Sequence, residues 1–382
     1  MMNIPFNRPS IVGKELEYIE QAVRNGHVSG DGEFTRKCHD LIEEIFGIRK
    51  VLLTTSCTAA LEISAILCEI KPGDEVILPS FTFVSTANAF CLRGAKPVFI
   101  DIEDKTFNIN PDLIESKITS KTKAIVPIHY AGIGCEMDKI IKLADRHNII
   151  VVEDAAQGVN ARYKGRYLGT IGQLGTYSFH ETKNFICGEG GALAINDERF
   201  VERAEIIREK GTNRSKFWRG QVDKYTWIDI GSSYLPSDIL AAYLYAQLEL
   251  IDEITIARRR VYEYYESSLK PLETLGLVRL PFIPSSCQAN YHMFYVLFNS
   301  EEIRDRIMRV LKENSILAVF HYLPLHTSPM GIKYGYNEGD LPITEDCSKR
   351  LLRLPFYNDL QEYQQEQIVN IISDELYKIL KK

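Results

Sequence analysis

Over roughly its first 250 residues the chain alternates short apolar runs with amphipathic stretches, and this alternation strongly constrains the fold. The apolar runs predict strands at residues 51–54, 75–79, 97–100, 124–128 and 149–153. The stretches between them predict helices at residues 58–69, 84–92, 111–117 and 137–147. Alternating strands and helices indicate an α/β fold whose largely parallel sheet is covered by helices on both faces.

The pattern changes toward the carboxyl end of the chain. Two more strands are predicted at residues 175–179 and 191–195, followed by one long helix at 237–269. Beyond it, strands are predicted at 278–280, 292–298 and 316–320, with helices at 301–313 and 362–380. A length of 382 residues suits a large domain plus a smaller one. We predict a large domain at residues 1–264, including the N-terminal segment, and a small α/β domain at 265–382.

Charge and cysteine usage exclude several classes of protein. A net charge of -6 argues against a nucleic-acid binder that relies on phosphate contacts. No stretch is long and apolar enough to span a bilayer, and the start lacks the pattern of an export signal. The eight cysteines show no paired spacing, which favours free thiols over disulfides or a metal site. We expect a cytoplasmic protein without nucleic-acid or membrane partners.

Two charged residues follow predicted strands, where open parallel sheets bind their ligands. Asp154 directly follows the strand at 149–153; it either caps a following helix or keeps a pyridinium nitrogen protonated. Lys183 follows the strand at 175–179 and precedes the glycine-rich residues 187–191. A lysine in a loop is usually solvated, but a desolvated one becomes a nucleophile toward an aldehyde. Glycines beside it would let the backbone approach a ligand closely.

Other segments suit a phosphate and a flat ring. Residues 54–61 combine a strand end, hydroxyl side chains and a helix start, which is either a simple capped helix or a phosphate site that Ser178 completes. Phe83 either stacks on a ligand ring or packs in the core. The glycine pattern that begins at Gly132 lacks its third glycine because Met137 stands there. A nicotinamide cofactor is therefore not favoured.

The order of these segments is more specific than any one of them. TTSCTAALE, PSFTFVSTANA, VVEDAAQG, SFHETKN and GEGG follow one another along the chain. This series resembles the DegT/DnrJ/EryC1/StrS family of sugar aminotransferases over nearly the whole chain. The resemblance implies the type I (aspartate aminotransferase) fold. It also implies pyridoxal 5'-phosphate (PLP) as cofactor, with pyridoxamine 5'-phosphate as its intermediate form.

The resemblance also implies roles for individual residues. Lys183 would form the Schiff base, Asp154 would bind the pyridine nitrogen, and Phe83 would stack on the ring. Gln157, one helical turn beyond Asp154, would contact the ring or its phenolic oxygen. The residues that would hold the phosphate are Cys57, Thr58 and Ser178.

The family pattern extends to a partner subunit and to the substrates. In many relatives an asparagine of the neighbouring subunit reaches the phosphate, and here Ser233 stands in the corresponding segment, which implies a homodimer with the site at its interface. His321 and Tyr322 resemble substrate-facing residues, although they could equally be packing residues. Arg219 is a candidate for a substrate phosphate, although a solvated loop explains it equally well.

The resemblance predicts a specific reaction. An amino group would pass from L-glutamate to C4 of a nucleotide-linked keto-sugar, dTDP-4-keto-6-deoxy-D-glucose, giving dTDP-4-amino-4,6-dideoxy-D-galactose and 2-oxoglutarate. The product would serve a surface polysaccharide. The gluco epimer and C3 amination of a 3-keto nucleotide sugar remain alternatives. A sugar dehydratase of the same family would carry histidine in place of Lys183. A PLP-binding regulator is another alternative, but no helix-turn-helix or basic DNA-reading face is evident.

Overall fold

A computed structural model describes residues 3–380 of the chain. The strands are β1 (Lys50–Thr54), β2 (Glu75–Pro79), β3 (Lys96–Ile100), β4 (Thr122–Ile125), β5 (Ile150–Asp154), β6 (Arg162–Tyr163), β7 (Arg166–Tyr167), β8 (Leu174–Ser178), β9 (Gly191–Ile195), β10 (Val278–Arg279), β11 (Cys287–Gln288), β12 (Tyr295–Phe298) and β13 (Leu351–Arg353). The α-helices are α1 (Glu15–Arg24), α2 (Glu33–Phe46), α3 (Cys57–Leu67), α4 (Val84–Cys91), α5 (Met137–His147), α6 (Val201–Arg208), α7 (Arg214–Trp218), α8 (Asp238–Glu249), α9 (Ile251–Thr274), α10 (Glu301–Glu313), α11 (Pro329–Lys333), α12 (Pro342–Arg350) and α13 (Glu362–Leu380). Short 3-10 turns lie at Pro111–Leu113, Glu115–Lys117, Tyr130–Gly132 and Glu198–Phe200.

A seven-stranded sheet in the order β1-β9-β8-β5-β4-β2-β3 forms the centre of the molecule. Neighbouring strands from β3 to β8 pair in parallel, whereas β9 runs antiparallel to both β8 and β1. The predicted α/β class with a largely parallel sheet is thus confirmed. Because the parallel strands end at one edge, the segments that follow them meet there.

The core lies on both faces of this sheet. In β5, Val151 packs into one apolar cluster and Val152 into the cluster on the opposite face. In β9, Ala192 and Ala194 face one cluster while Leu193 and Ile195 face the other. Successive side chains of a strand point to opposite faces, so strands buried on both faces need near-continuous apolar runs. The short apolar runs of the sequence are those strands.

A three-stranded sheet, β10-β12-β13, forms a second layer toward the carboxyl end. It packs in an apolar cluster with residues of α9, α10 and α13, and Ile4 of the N-terminal segment belongs to the same cluster. The predicted division between residues 264 and 265 falls inside α9, which continues to Thr274, and this division stays a prediction. None of the described helices has the length and apolar character needed to cross a membrane.

Several predicted elements differ in the structure. The strand predicted at 316–320 forms only isolated bridges, Ile316 with Ile4 and Val319 with Arg353. The strand predicted at 292–298 begins only at Tyr295, because the side chain and carbonyl of His292 bind other partners. The helix predicted at 237–269 is two helices that meet near Leu250, and the one predicted at 111–117 is two 3-10 turns. Helices α1 and α2 were not predicted.

Glu153 holds the loop that connects β7 to β8 against the sheet. Its fully buried carboxylate accepts backbone N–H bonds from Gly169 (2.9 Å), Ile171 (2.6 Å) and Gly172 (2.6 Å). The buried His129 lies 2.8 Å from the same carboxylate through its Nε2. Because His129 Nδ1 accepts the N–H of Cys135, Nε2 carries the proton and donates it to Glu153. Glu153 therefore fixes the strand end that presents Asp154.

We predict that Glu153→Ala lowers the free energy of unfolding by about 3–5 kcal/mol, because it leaves several buried donors without an acceptor. Urea denaturation at one fixed protein concentration measures the loss. The exposed Glu181 provides the control, and Glu181→Ala should change the value by less than about 0.5 kcal/mol. A loss below about 1 kcal/mol for Glu153→Ala would contradict this account.

Candidate active site

A cavity of about 560 Å³ opens beyond the carboxyl ends of β2, β5 and β8, next to the first turn of α3. Its lining includes nine of the residues singled out from the sequence: Cys57, Thr58, Phe83, Asp154, Gln157, Ser178, Lys183, His321 and Tyr322. They come from well-separated segments of the chain. The parallel strands bring most of them to one edge of the sheet.

The first turn of α3 presents backbone donors and hydroxyl groups to the cavity. Ser56 caps the helix by accepting the N–H of Ala59 (3.1 Å), and the Thr58 hydroxyl donates to Ser85 (2.8 Å). Burial raises the pKa of the Cys57 thiol, so Cys57 offers its backbone rather than a thiolate. Ser178 reaches the cavity from the end of β8. A helix start with free N–H groups and hydroxyls is suited to a phosphate.

Gly191 explains part of the glycine-rich segment. It starts β9 and lies so close to α3 that a Cβ atom there would come within 2.3 Å of the Cys57 backbone nitrogen. We expected the backbone of this segment to approach a ligand closely. At Gly191 it instead approaches the backbone at the start of α3. The absence of a side chain lets β9 pack against the turn that begins α3.

Asp154 is the buried carboxylate of the cavity, with 5% of its surface exposed. Its Oδ2 accepts the hydroxyl of Thr86 (2.7 Å) and its Oδ1 accepts the N–H of Ala156 (3.1 Å). Thr82 lies 3.0 Å from the Thr86 hydroxyl and extends this network. Turns follow Asp154 instead of a helix, so the helix N-cap alternative is wrong. Within residues 3–380 Asp154 forms no ion pair, and a buried carboxylate of this kind requires a cation.

Lys183 lines the same cavity as Asp154 and comes from the loop that follows β8. Burial lowers the pKa of its amine, while the nearby Cys57 and Asp154 oppose this shift. The positive charge of Arg353 lowers the pKa further. Among the described residues Lys183 forms no ion pair. The side chain is thus a less basic amine inside a pocket, which is the form a nucleophile toward an aldehyde needs.

Gln157 and Tyr322 form one side of the cavity. The Gln157 Oε1 accepts the N–H of Ala131 (2.6 Å), and its Nε2 donates to the Tyr322 hydroxyl (3.1 Å). Asn290 holds the backbone of Gln157 by donating to its carbonyl (2.8 Å). Gln157 lies in a turn, so its expected place one helical turn beyond Asp154 is corrected.

Phe83 presents an aromatic face to the cavity. Its side chain precedes α4 and is 58% exposed, so the alternative of a core phenylalanine is wrong. The ring centroid of Tyr322 lies 6.4 Å from that of Phe83. An apolar ring left in the open at a pocket wall provides a stacking surface for a flat ligand.

His321 lines the cavity and also contacts the buried Tyr130. Its Nδ1 lies 3.0 Å from the Tyr130 hydroxyl, and the two rings are 5.6 Å apart. Burial lowers the pKa of His321 well below its usual range, and the charge of Arg353 adds to this shift. His321 is therefore neutral near pH 7.

The structure does not bring Arg219 or Ser233 to this cavity. Arg219 donates to both carboxylate oxygens of Glu205 (3.0 and 2.8 Å), which ties it to α6. Ser233 is exposed and lines, together with Arg219, a separate cavity of about 840 Å³. Within one chain these two residues lie apart from Lys183.

Several lining residues were missed from the sequence. Thr86 stands four residues after Thr82 at the start of a helix, and this spacing within PSFTFVSTANA was the available signal. His292 and Arg353 come from the carboxyl-terminal part of the chain, where no local pattern marks them. Within residues 3–380 no cluster of three or more His, Cys, Asp or Glu side chains could hold a metal ion.

The side chains of the cavity fit PLP. Asp154 offers an anion for a protonated ring nitrogen, and Phe83 offers a face for the ring. The first turn of α3 offers donors for a phosphate, and Lys183 offers an amine for an aldehyde. Each part of the cofactor thus has a group of matching chemistry within one cavity.

Comparisons with known proteins agree with this chemistry. The model of the DegT/DnrJ/EryC1/StrS aminotransferase family matches residues 9–373. The uncharacterized protein MJ1066 of Methanocaldococcus jannaschii is 34% identical over 377 residues, which are 97% of this chain and 96% of that protein. The pleiotropic regulatory protein of Geobacillus stearothermophilus is 37% identical over 317 residues, 82% of each chain.

A solved structure shows the same fold. Spr1654 of Streptococcus pneumoniae, assigned as a sugar aminotransferase and solved in a PMP form, superimposes with a TM-score of 0.92 at 25% identity. The match covers 100% of this chain and 99% of that one. The seven-stranded sheet is accordingly that of the type I PLP fold. The chain belongs to the DegT/DnrJ/EryC1/StrS aminotransferase family and is a PLP-dependent aminotransferase.

Proposed function

We propose that this aminotransferase moves an amino group from L-glutamate to C4 of dTDP-4-keto-6-deoxy-D-glucose, forming dTDP-4-amino-4,6-dideoxy-D-galactose and 2-oxoglutarate. The observation that carries the transfer chemistry is one cavity lined by both the less basic Lys183 and the carboxylate of Asp154, which forms no ion pair within residues 3–380. A sugar acceptor is supported by the similarity to Spr1654. Residues 211–215, 219–227 and 229–235 resemble dTDP-4-amino-4,6-dideoxygalactose transaminases, which supports this particular sugar.

Lys183 acts as the nucleophile and the proton carrier in this proposal. When bound, PLP supplies an aldehyde carbon that exchanges amines and a ring that takes up the electron pair released at the reacting carbon. Lys183 Nζ removes the proton from Cα of the donor and, in the second half-reaction, delivers a proton to C4 of the sugar. Its lowered pKa leaves more of the amine unprotonated at neutral pH than in a solvated lysine.

The residues around Lys183 hold and orient the reacting groups. Asp154 keeps the ring nitrogen protonated, and Thr86 fixes the carboxylate through its hydroxyl. Phe83 covers one ring face and Gln157 contacts the ring or its phenolic oxygen. The phosphate is held by the start of α3 and the end of β8, through Cys57, Thr58 and Ser178. These contacts would hold the cofactor without help from Lys183, which leaves the lysine amine available for proton transfer.

The active form is a homodimer with the site at its interface. The segment that carries Arg219 and Ser233 leaves large apolar side chains exposed, including Trp218, Trp227 and Ile228, with Trp227 at 77%. Clustered exposed apolar residues mark interaction surfaces. In a dimer Ser233 of one chain supplies its hydroxyl to the phosphate in the cavity of the other. Arg219, Tyr322 and His321 remain proposed contacts of the sugar nucleotide.

The alternative products differ in stereochemistry or position. The gluco epimer and the C3 amine use the same lysine and carboxylate, and no contact in the cavity favours either. A regulator without catalysis is not favoured, because the family is one of aminotransferases and the cavity holds a complete set of reacting groups.

The product formed from dTDP-4-keto-6-deoxy-D-glucose, L-glutamate and PLP tests the proposed substrate. We expect NMR to show an amino group at C4 in the axial orientation. An equatorial C4 amine would contradict the galacto product and assign the gluco epimer. Absence of an aminated sugar, from an enzyme whose cofactor still reacts with L-glutamate, would contradict the acceptor and direct attention to a 3-keto sugar.

Thr86→Val should slow the half-reaction with L-glutamate by about 10-fold, because Asp154 loses a hydrogen bond to its charged form. Stopped-flow absorbance of the bound cofactor, without any sugar, measures the rate. Thr86→Ser keeps the hydroxyl and should stay within about threefold of the unaltered enzyme. Equal rates for Thr86→Val and the unaltered enzyme would show that Thr86 does not position Asp154.

A further inference from the structure

Asn184 directly follows Lys183 and makes a buried contact between the lysine loop and the carboxyl-terminal part of the chain. Its Nδ2 donates to the backbone carbonyl of Asn290 (2.7 Å). Its Oδ1 lies 2.7 Å from Nδ1 of His292. All three side chains that take part are buried. Hydrogen bonds are stronger where water is excluded, so one side chain connects the loop firmly to residues 290–292.

The amide of Asn184 determines which nitrogen of His292 carries a proton. The carbonyl of Asn290 can only accept, so the Asn184 amino group makes that contact and the Asn184 oxygen faces His292. His292 Nδ1 therefore donates a proton to Asn184. Burial lowers the pKa of His292 well below its usual range, and the charges of Lys183 and Arg258 add to this shift. The ring is thus neutral near pH 7, with Nδ1 protonated and Nε2 unprotonated.

Arg258 holds the backbone of His292 from α9. Its buried guanidinium donates to the carbonyls of Tyr291 (3.0 Å) and His292 (2.6 Å). A third bond goes to the side chain of Asn358 (3.1 Å). Strand β12 begins only at Tyr295, so residues 291 and 292 have no strand partner. The place of the His292 ring is therefore set by α9 and not by strand pairing.

Asn290 connects the same segment to the turn that carries Gln157. Its Nδ2 donates to the backbone carbonyls of Gln157 and Val159 (2.8 Å each). Gln157 and Lys183 both line the cavity. Residues 290–292 thus hold two cavity-lining segments that are far apart in the first half of the chain.

Other hydrogen bonds of the lysine loop are local or exposed. The N–H of Glu181 donates to the carbonyl of Gly188 (3.0 Å), which joins the two sides of the loop only to each other. The side chain of Asn7 donates to the Glu181 carbonyl (3.0 Å), but this bond is exposed to solvent. Water competes for an exposed bond, whereas the bonds of Asn184 are buried. Asn184 is therefore the firm anchor of the loop.

We propose that Asn184 and His292 are positioning residues for Lys183, acting through the hydrogen bond from His292 Nδ1 to Asn184 Oδ1. The inference rests on the proposed role of Lys183 as nucleophile and proton carrier. A lysine amine stands on a flexible four-carbon stem, so its place depends on a rigid backbone below it. A displacement of about 1 Å at a reacting group can slow a reaction on the order of 100-fold.

A direct role for His292 Nε2 is the competing explanation. This nitrogen forms no hydrogen bond within residues 3–380, and His292 lines the cavity. Two substitutions separate the roles. In His292→Asn the amide nitrogen takes the place of Nδ1, so a donor to Asn184 is retained while Nε2 is removed. His292→Leu removes both nitrogens.

Hydrogen–deuterium exchange of the enzyme loaded with PLP measures the rigidity of the loop. We expect the backbone amides of residues 181–187 to exchange on the order of 10-fold faster in Asn184→Ala and in His292→Leu, because the loop opens more readily. In His292→Asn the exchange should stay within about threefold of the unaltered enzyme, because the bond to Asn184 is retained. Melting temperature confirms that each variant is folded.

Asn196→Ala is the matched control. Asn196 also donates through its Nδ2 to two carbonyls, those of Gly169 (3.0 Å) and Gly172 (2.8 Å). It follows the end of β9, whose first residue Gly191 packs beside the cavity, so Asn196 lies at the opposite edge of the central sheet. We expect unchanged exchange in residues 181–187 and an unchanged rate with L-glutamate.

The half-reaction with L-glutamate, without any sugar, measures the consequence for Lys183. Asn184→Ala and His292→Leu should each lower the maximal rate on the order of 30-fold, because the amine is no longer held at the reacting carbon. The L-glutamate concentration for half-maximal rate should stay within about threefold, because contacts to the donor are not removed. The double variant should be no slower than either single one, since both changes break the same bond. His292→Asn should retain most of the rate.

Several results would overturn the proposal. A loss of rate in His292→Asn as large as in His292→Leu would assign a direct role to Nε2. Unchanged exchange of residues 181–187 in Asn184→Ala would show that Asn184 does not anchor the loop. Faster exchange without a slower half-reaction would show that Lys183 needs no such anchor. Turnover by Lys183→Ala would overturn the proposed function itself, whereas the exchange data would still decide whether Asn184 and His292 hold the loop.

Discussion

The unpaired carboxylate of Asp154 is the constraint on which the rest of the cavity depends. The carboxylate is buried and oriented by two hydrogen bonds, yet within residues 3–380 it has no cation of its own. Lys183 and Arg353 line the same cavity, and neither forms an ion pair among the described residues. Such groups are costly in a folded chain, since burial disfavours a charge that lacks a partner. A ligand of opposite charge offsets this cost when it binds. We therefore expect the binding of cofactor and substrate to stabilise the folded chain.

The scaffold around Asp154 explains how this arrangement is kept rigid. Glu153 precedes Asp154 in β5 and points to the opposite side, where it binds three backbone N–H groups and His129. One strand end thus carries two carboxylates, Glu153 with four hydrogen-bond donors and Asp154 with two donors and no cation among the described residues. Glu153 fixes the loop and the strand, while Asp154 remains available to a protonated ring nitrogen. Gly191 serves the same rigidity by allowing β9 to pack closely against the start of α3.

Much of this site could be predicted from sequence because parallel strands place their ends at one edge. Asp154, Lys183, Thr58 and Phe83 each follow a predicted strand, and the structure brings them to one cavity. Arg353 could not be found this way, because its place depends on how the carboxyl-terminal sheet packs against the cavity. The break near Leu250 between α8 and α9 was missed because no glycine or proline stands at the junction to mark it. The roles of Arg219 and Ser233 depend on a second subunit and stay predictions.

The covalent attachment of the cofactor tests the central claim most directly. The enzyme loaded with PLP is reduced with sodium borohydride, digested and analysed by mass spectrometry to find the modified lysine. The account predicts the reduced cofactor on Lys183, and its loss when L-glutamate is added before reduction. A cofactor attached to a different lysine would contradict the account. An active enzyme that carries no reducible bond at Lys183 would contradict it as well.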